Sequence, residues 1–370
     1  MRRLLALLCV FCLLAASQQI PVIRTTVKVV VVPVTVTDNR GEFVTDLVQS
    51  DFAVFDNGAP QKMETFELSS MPLSLAIVVE TSTRIEPVLP DVRKSGILFT
   101  QLILGESGEA SIITFDQRVE IAQEFTTNGD LIEKGIKNLK TGGSEARMTD
   151  AVFRAIGRLK MRPADRRKVV FVIGEGADRG SENDLGQALR EAQLSAISVY
   201  CVDLSTMKII LKQSAPGTRV DPLPPGARGP TPGVPPMPQG ASGGNIMPLI
   251  VEAVRGVKSI FIKPMKAYTE GTGADHISVT NEREFQQAVH KIGQELHSQY
   301  MISYQPKNLV AAEFHNITVR LTRGGGLKVR ARPGYFYVPA EGAPPAETKP
   351  EPAKKTPAKN GPTGQSRPNR

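Results

Sequence analysis

Tryptophan is absent, histidine occurs four times, and aromatic residues make up 5% of the 370 positions. So thin a supply of rings leaves little from which to build base-stacking platforms. Cysteine occurs three times, and Cys9 and Cys12 both fall inside an N-terminal apolar run. Beyond that run only Cys201 remains, in Ala196-Ile-Ser-Val-Tyr-Cys-Val-Asp203, where a lone cysteine reads as a small buried hydrophobe. Disulfides are thereby excluded as the frame of the mature protein, which must rely on a packed core. Charge of one sign is scarce as well. The formal net charge is +8, but Arg2, Arg3 and a tail with six basic against three acidic residues from Pro339 onward account for much of it. What remains is too mild for a phosphate-binding face, so nucleic acid is not an expected partner.

Catalytic signatures are also missing. No Gly-x-Gly-x-x-Gly follows a strand, no glycine-rich loop ends in Lys-Ser or Lys-Thr, and no Gly-x-Ser-x-Gly joins a predicted strand to a helix, the one match, Gly240 to Gly244, falling within a proline- and glycine-rich stretch. The histidines are His276, His290, His297 and His315. His290 and His297 are seven apart on a predicted helix and read as solvated side chains sharing a face, not as zinc ligands. No histidine is placed beside Ser82 or Ser144 to serve as a base. The expectation is that the chain is not an enzyme.

The N-terminus carries Arg2 and Arg3, then a thirteen-residue apolar run from Leu4 to Ala16, then small residues through Ser17. This is the layout of a secretory signal peptide over residues 1–17, too short to span a bilayer comfortably. Neither Cys9 nor Cys12 follows the small residues of a lipoprotein cleavage site. The expected localisation is exported, either periplasmic or extracellular.

Residues 18–71 and 298–338 carry period-two patterns. Val34 and Val36 alternate with Thr35 and Thr37, Asp51-Phe-Ala-Val-Phe-Asp56 reads as a strand, and Asn57-Gly58 offers a tight turn before a strand at Met63 to Leu68. Near the other end, Tyr300, Ile302 and Tyr304 alternate with Met301 and Ser303. The same pattern recurs at Ile317–Thr322 and again after Gly324-Gly325-Gly326. Each segment buries one face and is too small to stand alone, so the two are expected to pair as one antiparallel unit.

Between them, residues 72–297 alternate strand and helix. Leu73–Glu80 and Lys168–Ile173 are nearly unbroken apolar runs, as parallel strands covered on both faces require. Further strands are predicted at Ala110–Phe115, Val119–Phe125, Ala196–Val202 and His276–Val279. Helices are predicted over Val88–Leu104, Gly129–Leu139, Arg147–Leu159, Glu182–Leu194, Ile246–Glu270 and Glu282–His297. The fold class this implies is α/β, with a doubly wound, mostly parallel sheet inserted between flanking antiparallel β segments. Ligands on such sheets bind at the carboxyl ends of the strands. Residues 214–244, with nine prolines and seven glycines, read as a surface insertion, and residues 339–370, with eight prolines, as a disordered tail. The tail's lysines could make weak contact with a cell envelope. The basic stretch Arg162 to Lys168 reads as a solvated helix-to-strand loop.

At the end of the first central strand stands Glu80-Thr81-Ser82-Thr83-Arg84, followed later by Thr141-Gly-Gly-Ser144, Asp150-Ala151 and Gly174-Glu175-Gly176-Ala177-Asp178. In this order the segments resemble the von Willebrand factor A (VWFA) family. They resemble most the exported bacterial group, common in acidobacteria, in which β segments embrace the A domain. The resemblance implies a Rossmann-like fold and a metal-ion-dependent adhesion site holding Mg²⁺ or Mn²⁺. Its residues here would be Glu80, Ser82, Ser144, Thr149 and Glu175, with Ser144 and Thr149 competing for one role. Glu80 and Glu175 stand where the family has aspartates, and Arg84 stands where it has a second serine, so the site reads as degenerate. A guanidinium about 4 Å from a dication would cost on the order of 8 kcal/mol at an effective dielectric near 20. In place of an ion, Arg84 could bridge Glu80 and Glu175, or meet an acidic group on a partner with Ser82, Ser144 and Glu175 around it. The function this implies is protein–protein interaction or adhesion at the strand-end crevice. The other reading is an envelope scaffold whose A domain has lost ligand and metal binding.

Overall fold

The computed structural model describes residues 29–69, 71–205, 207, 247–254, 263–306 and 313–337. The expected signal peptide, the 214–244 insertion and the 339–370 tail lie outside the described residues. The strands are β1 Val30–Thr37, β2 Phe52–Asp56, β3 Ala59–Gln61, β4 Met63–Leu68, β5 Leu73–Glu80, β6 Glu109–Phe115 and β7 Val119–Thr126. They continue with β8 Arg167–Gly174, β9 Ser198–Asp203, β10 His276–Ser278, β11 Tyr300–Tyr304, β12 Glu313–Leu321, β13 Lys328–Ala331 and β14 Gly334–Tyr337. The helices are α1 Leu89–Lys94, α2 Gly96–Leu98, α3 Gly129–Lys137, α4 Met148–Lys160, α5 Leu185–Leu194, α6 Met247–Val254, α7 Pro264–Thr272 and α8 Glu282–Ser298.

The central sheet runs β10-β9-β8-β5-β6-β7, parallel throughout except for the edge strand β7. Every residue of β5 is buried, because helices cover both faces of this innermost strand. One apolar layer joins Leu75, Ile77 and Val79 to Phe99, Phe171 and Ile292; the other joins Ala76 and Val78 to Val152, Ile156 and Leu189. Strand β7 alternates half-buried and exposed residues, as an edge strand with one wet face does. The fold class expected from the apolar runs is the one observed.

Several features depart from the sequence reading, among them the helix predicted over Ile246–Glu270, which is described as α6 and a separate α7 opening at Pro264. The helix predicted over Val88–Leu104 is broken into α1, α2 and a π-helical segment, Phe99–Leu104. Ser95 turns its hydroxyl back to the Val92 carbonyl at 2.6 Å. Gly96 then lets the chain pack against the backbone of Glu133, where an added Cβ would come within 3.2 Å. The Arg162–Lys168 stretch is not simply solvated either. Arg162 and Arg166 both pair with the buried carboxylate of Glu109, and Arg167 is itself buried.

The flanking segments interleave. One four-stranded antiparallel sheet has the order β13-β1-β11-β4 and the other β14-β12-β2-β3, so each sheet draws two strands from either end of the chain. Val30 pairs with Tyr304 and Val34 with Ala331, while Phe52 pairs with Leu321. Asn57-Gly58 does make the tight turn, with Asn57 at φ 46° and Gly58 at φ 79°, but it leads into β3 and not β4. Pro60 sits in β3 at the sheet edge, where its missing N–H breaks no inner ladder. Val32, Val34, Phe52, Val54, Ile302 and Ile317 form a common core between the two sheets.

A buried polar network fixes these sheets to the base of the central one. The Arg167 guanidinium donates to the Leu296 carbonyl and to Gln299 Oε1. The Gln299 amide donates in turn to Thr35 Oγ1 at 2.7 Å, Tyr200 Oη at 3.0 Å and Glu295 Oε1 at 2.9 Å. Arg330, on β13, closes on the other Glu295 oxygen. Arg167 opens β8 and Gly174 ends it, so the network lies on the order of 25 Å from the strand carboxyl ends.

Candidate functional site

At the carboxyl end of β5 the chain must leave a fully covered strand, and it does so carrying a carboxylate. Glu80 is 0% exposed. Its Oε1 accepts the Ser82 hydroxyl at 2.6 Å and its Oε2 accepts the backbone N–H of Glu175 at 2.7 Å. Gly174 makes the second contact possible, since an added Cβ there would sit 2.6 Å from Glu80 Oε2. Burial, opposed by these two hydrogen bonds and helped by the Glu175 charge, pushes the Glu80 carboxyl above its usual range.

Arg84 donates its backbone N–H to Ser82 Oγ at 3.2 Å, and its Nε lies against the Glu175 carboxylate. The Arg84 side chain remains 25% exposed and that of Glu175 only 6%. The guanidinium therefore ties the loop after β5 to the loop after β8. It reaches Glu175 and not Glu80, whose oxygens are taken by Ser82 and the backbone, so the bridge expected between the two glutamates is absent.

The third loop is stitched to the first by its backbone. Gly142 N–H donates to the Thr81 carbonyl at 2.7 Å, and Thr83 N–H donates to the Gly143 carbonyl at 2.8 Å. Asp116, at the end of β6, accepts the Gly143 N–H on Oδ2 at 2.9 Å. A Cβ on Gly142 would land 1.5 Å from that oxygen, so only glycine fits. Sequence reasoning missed Asp116. The available signal was an acid closing the strand beside β5, with a Gly-Gly pair further along.

Ser144 is exposed and makes no hydrogen bond among the described residues, whereas Thr149 is buried and donates its hydroxyl to Asp178. Asp178 also accepts the Ser181 hydroxyl at 2.6 Å. Thr149 is thus hydrogen-bonded to the loop after β8, and Ser144 is not. Asp150 accepts the backbone N–H of Asn183 at 2.8 Å and its amide at 2.7 Å, with Arg147 at 2.8 Å on the other oxygen. Burial would raise the Asp150 carboxyl, but those hydrogen bonds outweigh it and hold the group below the carboxylate range.

Mg²⁺ needs near-octahedral oxygen ligation with freely offered lone pairs. Here both Glu80 oxygens accept protein hydrogen bonds, the Ser82 hydrogen is directed at Glu80, and a permanent cation rests on Glu175. Among the described residues no group of three or more His, Cys, Asp or Glu converges on a point an ion could occupy. The residues present do not fit a divalent ion. Nor does an imidazole approach Ser82. His276 faces Asp203 at 3.8 Å and His315 faces Asp56 at 2.8 Å. What the loops offer instead is a guanidinium at the surface, held by one carboxylate. A cavity of about 580 Å³, lined in part by Thr81, Asp116, Lys134, Lys140 and Gly142, opens where the first and third loops meet.

Strand order, the position of Glu80 at the end of a central strand and the three converging loops make a mostly parallel α/β sheet with a strand-end crevice, the arrangement that the motif resemblance implied. No family model and no curated protein matches it. Among solved structures it is similar to the von Willebrand factor domain of a type V pilus tip protein from Porphyromonas gingivalis. That match has 13% identity over 30% of this chain and 40% of that one, with a TM-score of 0.27. It is similar also to an aerotolerance-related membrane protein from Bacteroides fragilis, with 15% identity over 60% of this chain and 98% of that one, TM-score 0.36. A third is BatB from Bacteroides thetaiotaomicron, with 12% identity over 60% and 99%, TM-score 0.35. No helix among the described residues is long and apolar enough to cross a membrane.

Proposed function

We propose that this chain is an exported protein-recognition module that binds a protein partner at the strand-end crevice without a divalent ion. The observation that carries the reading is the closure of the site by the chain's own groups. Arg84 rests on Glu175, and Glu80 is satisfied by Ser82 and the Glu175 N–H. The protein's cation takes the position the family gives to a metal. Arg84 keeps a quarter of its side chain exposed, and only its Nε is engaged among the described residues. Its terminal nitrogens are the donors for an acidic group of the partner, and exposed Ser144 lies on the loop stitched beside it.

The test is capture of envelope proteins on the immobilised chain, run in parallel with Mg²⁺ and with a chelator, using wild type and Arg84→Ser. A partner retained in chelator and lost from Arg84→Ser supports the reading. A partner held only when Mg²⁺ is present, or held equally by Arg84→Ser, overturns it. Equal binding by both forms would favour a scaffold whose crevice is idle.

A further inference from the structure

A second site lies at the opposite end of the molecule, where the β sheets meet the base of the central sheet. A cavity of about 450 Å³ opens there between the start of β1, the end of α5 and strand β14. Its size is that of a small-ligand pocket. Val31, Leu194, Ala196 and Tyr335 give it an apolar and aromatic wall, and Leu194 is 42% exposed at its rim.

Two polar residues in this wall are not satisfied. Arg332 is 5% exposed and carries a guanidinium that makes one hydrogen bond among the described residues, from Nη1 to the Gln193 carbonyl at 2.8 Å. It lies 5.7 Å from the centre of the Tyr335 ring, and it forms no ion pair with a carboxylate among the described residues. Its Nε is buried without a partner. Asp56 attracts it from further off, but the Asp56 oxygens are committed to His315 Nδ1 and to the hydroxyls of Tyr304 and Tyr335. Gln193 is 2% exposed; its amide donates to the Gly271 carbonyl at 2.9 Å, while its Oε1 is buried without a donor. The other charges lining the cavity, Lys160 and Glu191, pair with each other at 2.6 Å.

A buried cation without a counter-ion and a buried acceptor without a donor are both costly, and each names what is missing. Arg332 lacks a carboxylate; Gln193 lacks an N–H or O–H. The terminal residue of a peptide carries a carboxylate and an amide N–H a few atoms apart, with a side chain that an apolar wall can hold. We infer that this cavity binds the C-terminal residue of a peptide, with Arg332 receiving the carboxylate, Gln193 Oε1 accepting the amide N–H, and the apolar wall taking an aliphatic side chain. Burial lowers the Arg332 pKa only to about 10, so the guanidinium stays charged at neutral pH.

The test is calorimetric titration of the whole chain with N-acetyl-leucine and with N-acetyl-leucinamide, which has the same body without the carboxylate. The expected result is saturable binding of the acid, about tenfold or more tighter than the amide. Arg332→Gln should abolish the difference. Because that variant could fail to fold, Leu194→Trp, which leaves Arg332 in place and fills the mouth, should also remove binding while melting like wild type. Equal affinities for acid and amide, binding that survives Leu194→Trp, or no heat with either ligand would each overturn the assignment.

Discussion

Glu80 and Glu175 stand at the ends of neighbouring parallel strands, and the carboxylate of the first accepts the backbone N–H of the second at 2.7 Å. The carboxylate of Glu175 in turn accepts from Arg84 Nε. Two acids that would repel at a shared ion are separated in role: one is an internal hydrogen-bond acceptor, the other the seat of a surface cation.

Direct calorimetry checks the consequence for metals. Mg²⁺ or Mn²⁺ titrated to millimolar concentration should give no saturable heat with wild type, nor with Glu80→Ala. Saturable binding abolished by Glu80→Ala would show that the loops rearrange around an ion.

Glu80 gives a pH signature. Its folded pKa lies above the ordinary 4.5, so its contribution to stability is full below pH 4.5 and is lost as pH rises through the folded value. Ionised Glu80 therefore costs stability at neutral pH. Glu80→Gln keeps the shape, removes that cost, and should raise the melting temperature at pH 7 more than at pH 4. Thermal melts across that range decide it, and a variant less stable at pH 7 than at pH 4, relative to wild type, would contradict the sign.

Asp150 has the opposite sign. Hydrogen bonds from Asn183 and Glu182 hold it below the ordinary 3.8, so its contribution is present above that pH and fades as pH falls through the folded value. Asp150→Ala should cost about 2 kcal/mol at pH 7, because Asn183 loses two bonds. Denaturant unfolding should show the loss shrinking in strong acid.

Gly142→Ala should destabilise by about 1–3 kcal/mol, because the new methyl group meets Asp116 Oδ2. The double variant Gly142→Ala with Asp116→Ala should recover part of the loss, although the Gly143 N–H then loses its acceptor. A single variant as stable as wild type would show the loop free to move aside.

Gln299→Ala should cost about 3 kcal/mol, since Thr35, Tyr200, Glu295 and Arg167 share its amide. Gly142→Ala and Gln299→Ala act at opposite ends of the central sheet, so their effects should add in equilibrium unfolding.

The central sheet was legible because β5 and β8 carry unbroken apolar runs, Leu75–Val79 and Val169–Ile173, as doubly covered strands require. Val34, Tyr304 and Ile317 likewise announced the outer strands by alternation. Their partners were less plain. Asn57-Gly58 dictates a tight turn but not which later segment pairs back, and β3 holds Pro60 and only three residues. At the site, Glu80, Ser82 and Glu175 were readable because they fall at strand ends. The burial of Thr149 against Asp178 and the exposure of Ser144 were not, since they depend on where the Gly142-Gly143 turn is pinned by Asp116. The buried pair of vacancies at Arg332 and Gln193 was invisible, because the residues come from segments more than a hundred positions apart.

The interleaving of the two outer sheets also sets an order of events during synthesis. Val30 cannot meet Tyr304, nor Phe52 meet Leu321, until almost the whole chain has emerged. Strands β1, β2 and β4 therefore wait with open edges while the central sheet can already close on itself, and the last segment delivered completes both outer sheets together. A chain stalled or clipped before residue 300 would retain its crevice loops yet leave those early strands exposed to one another and to their neighbours.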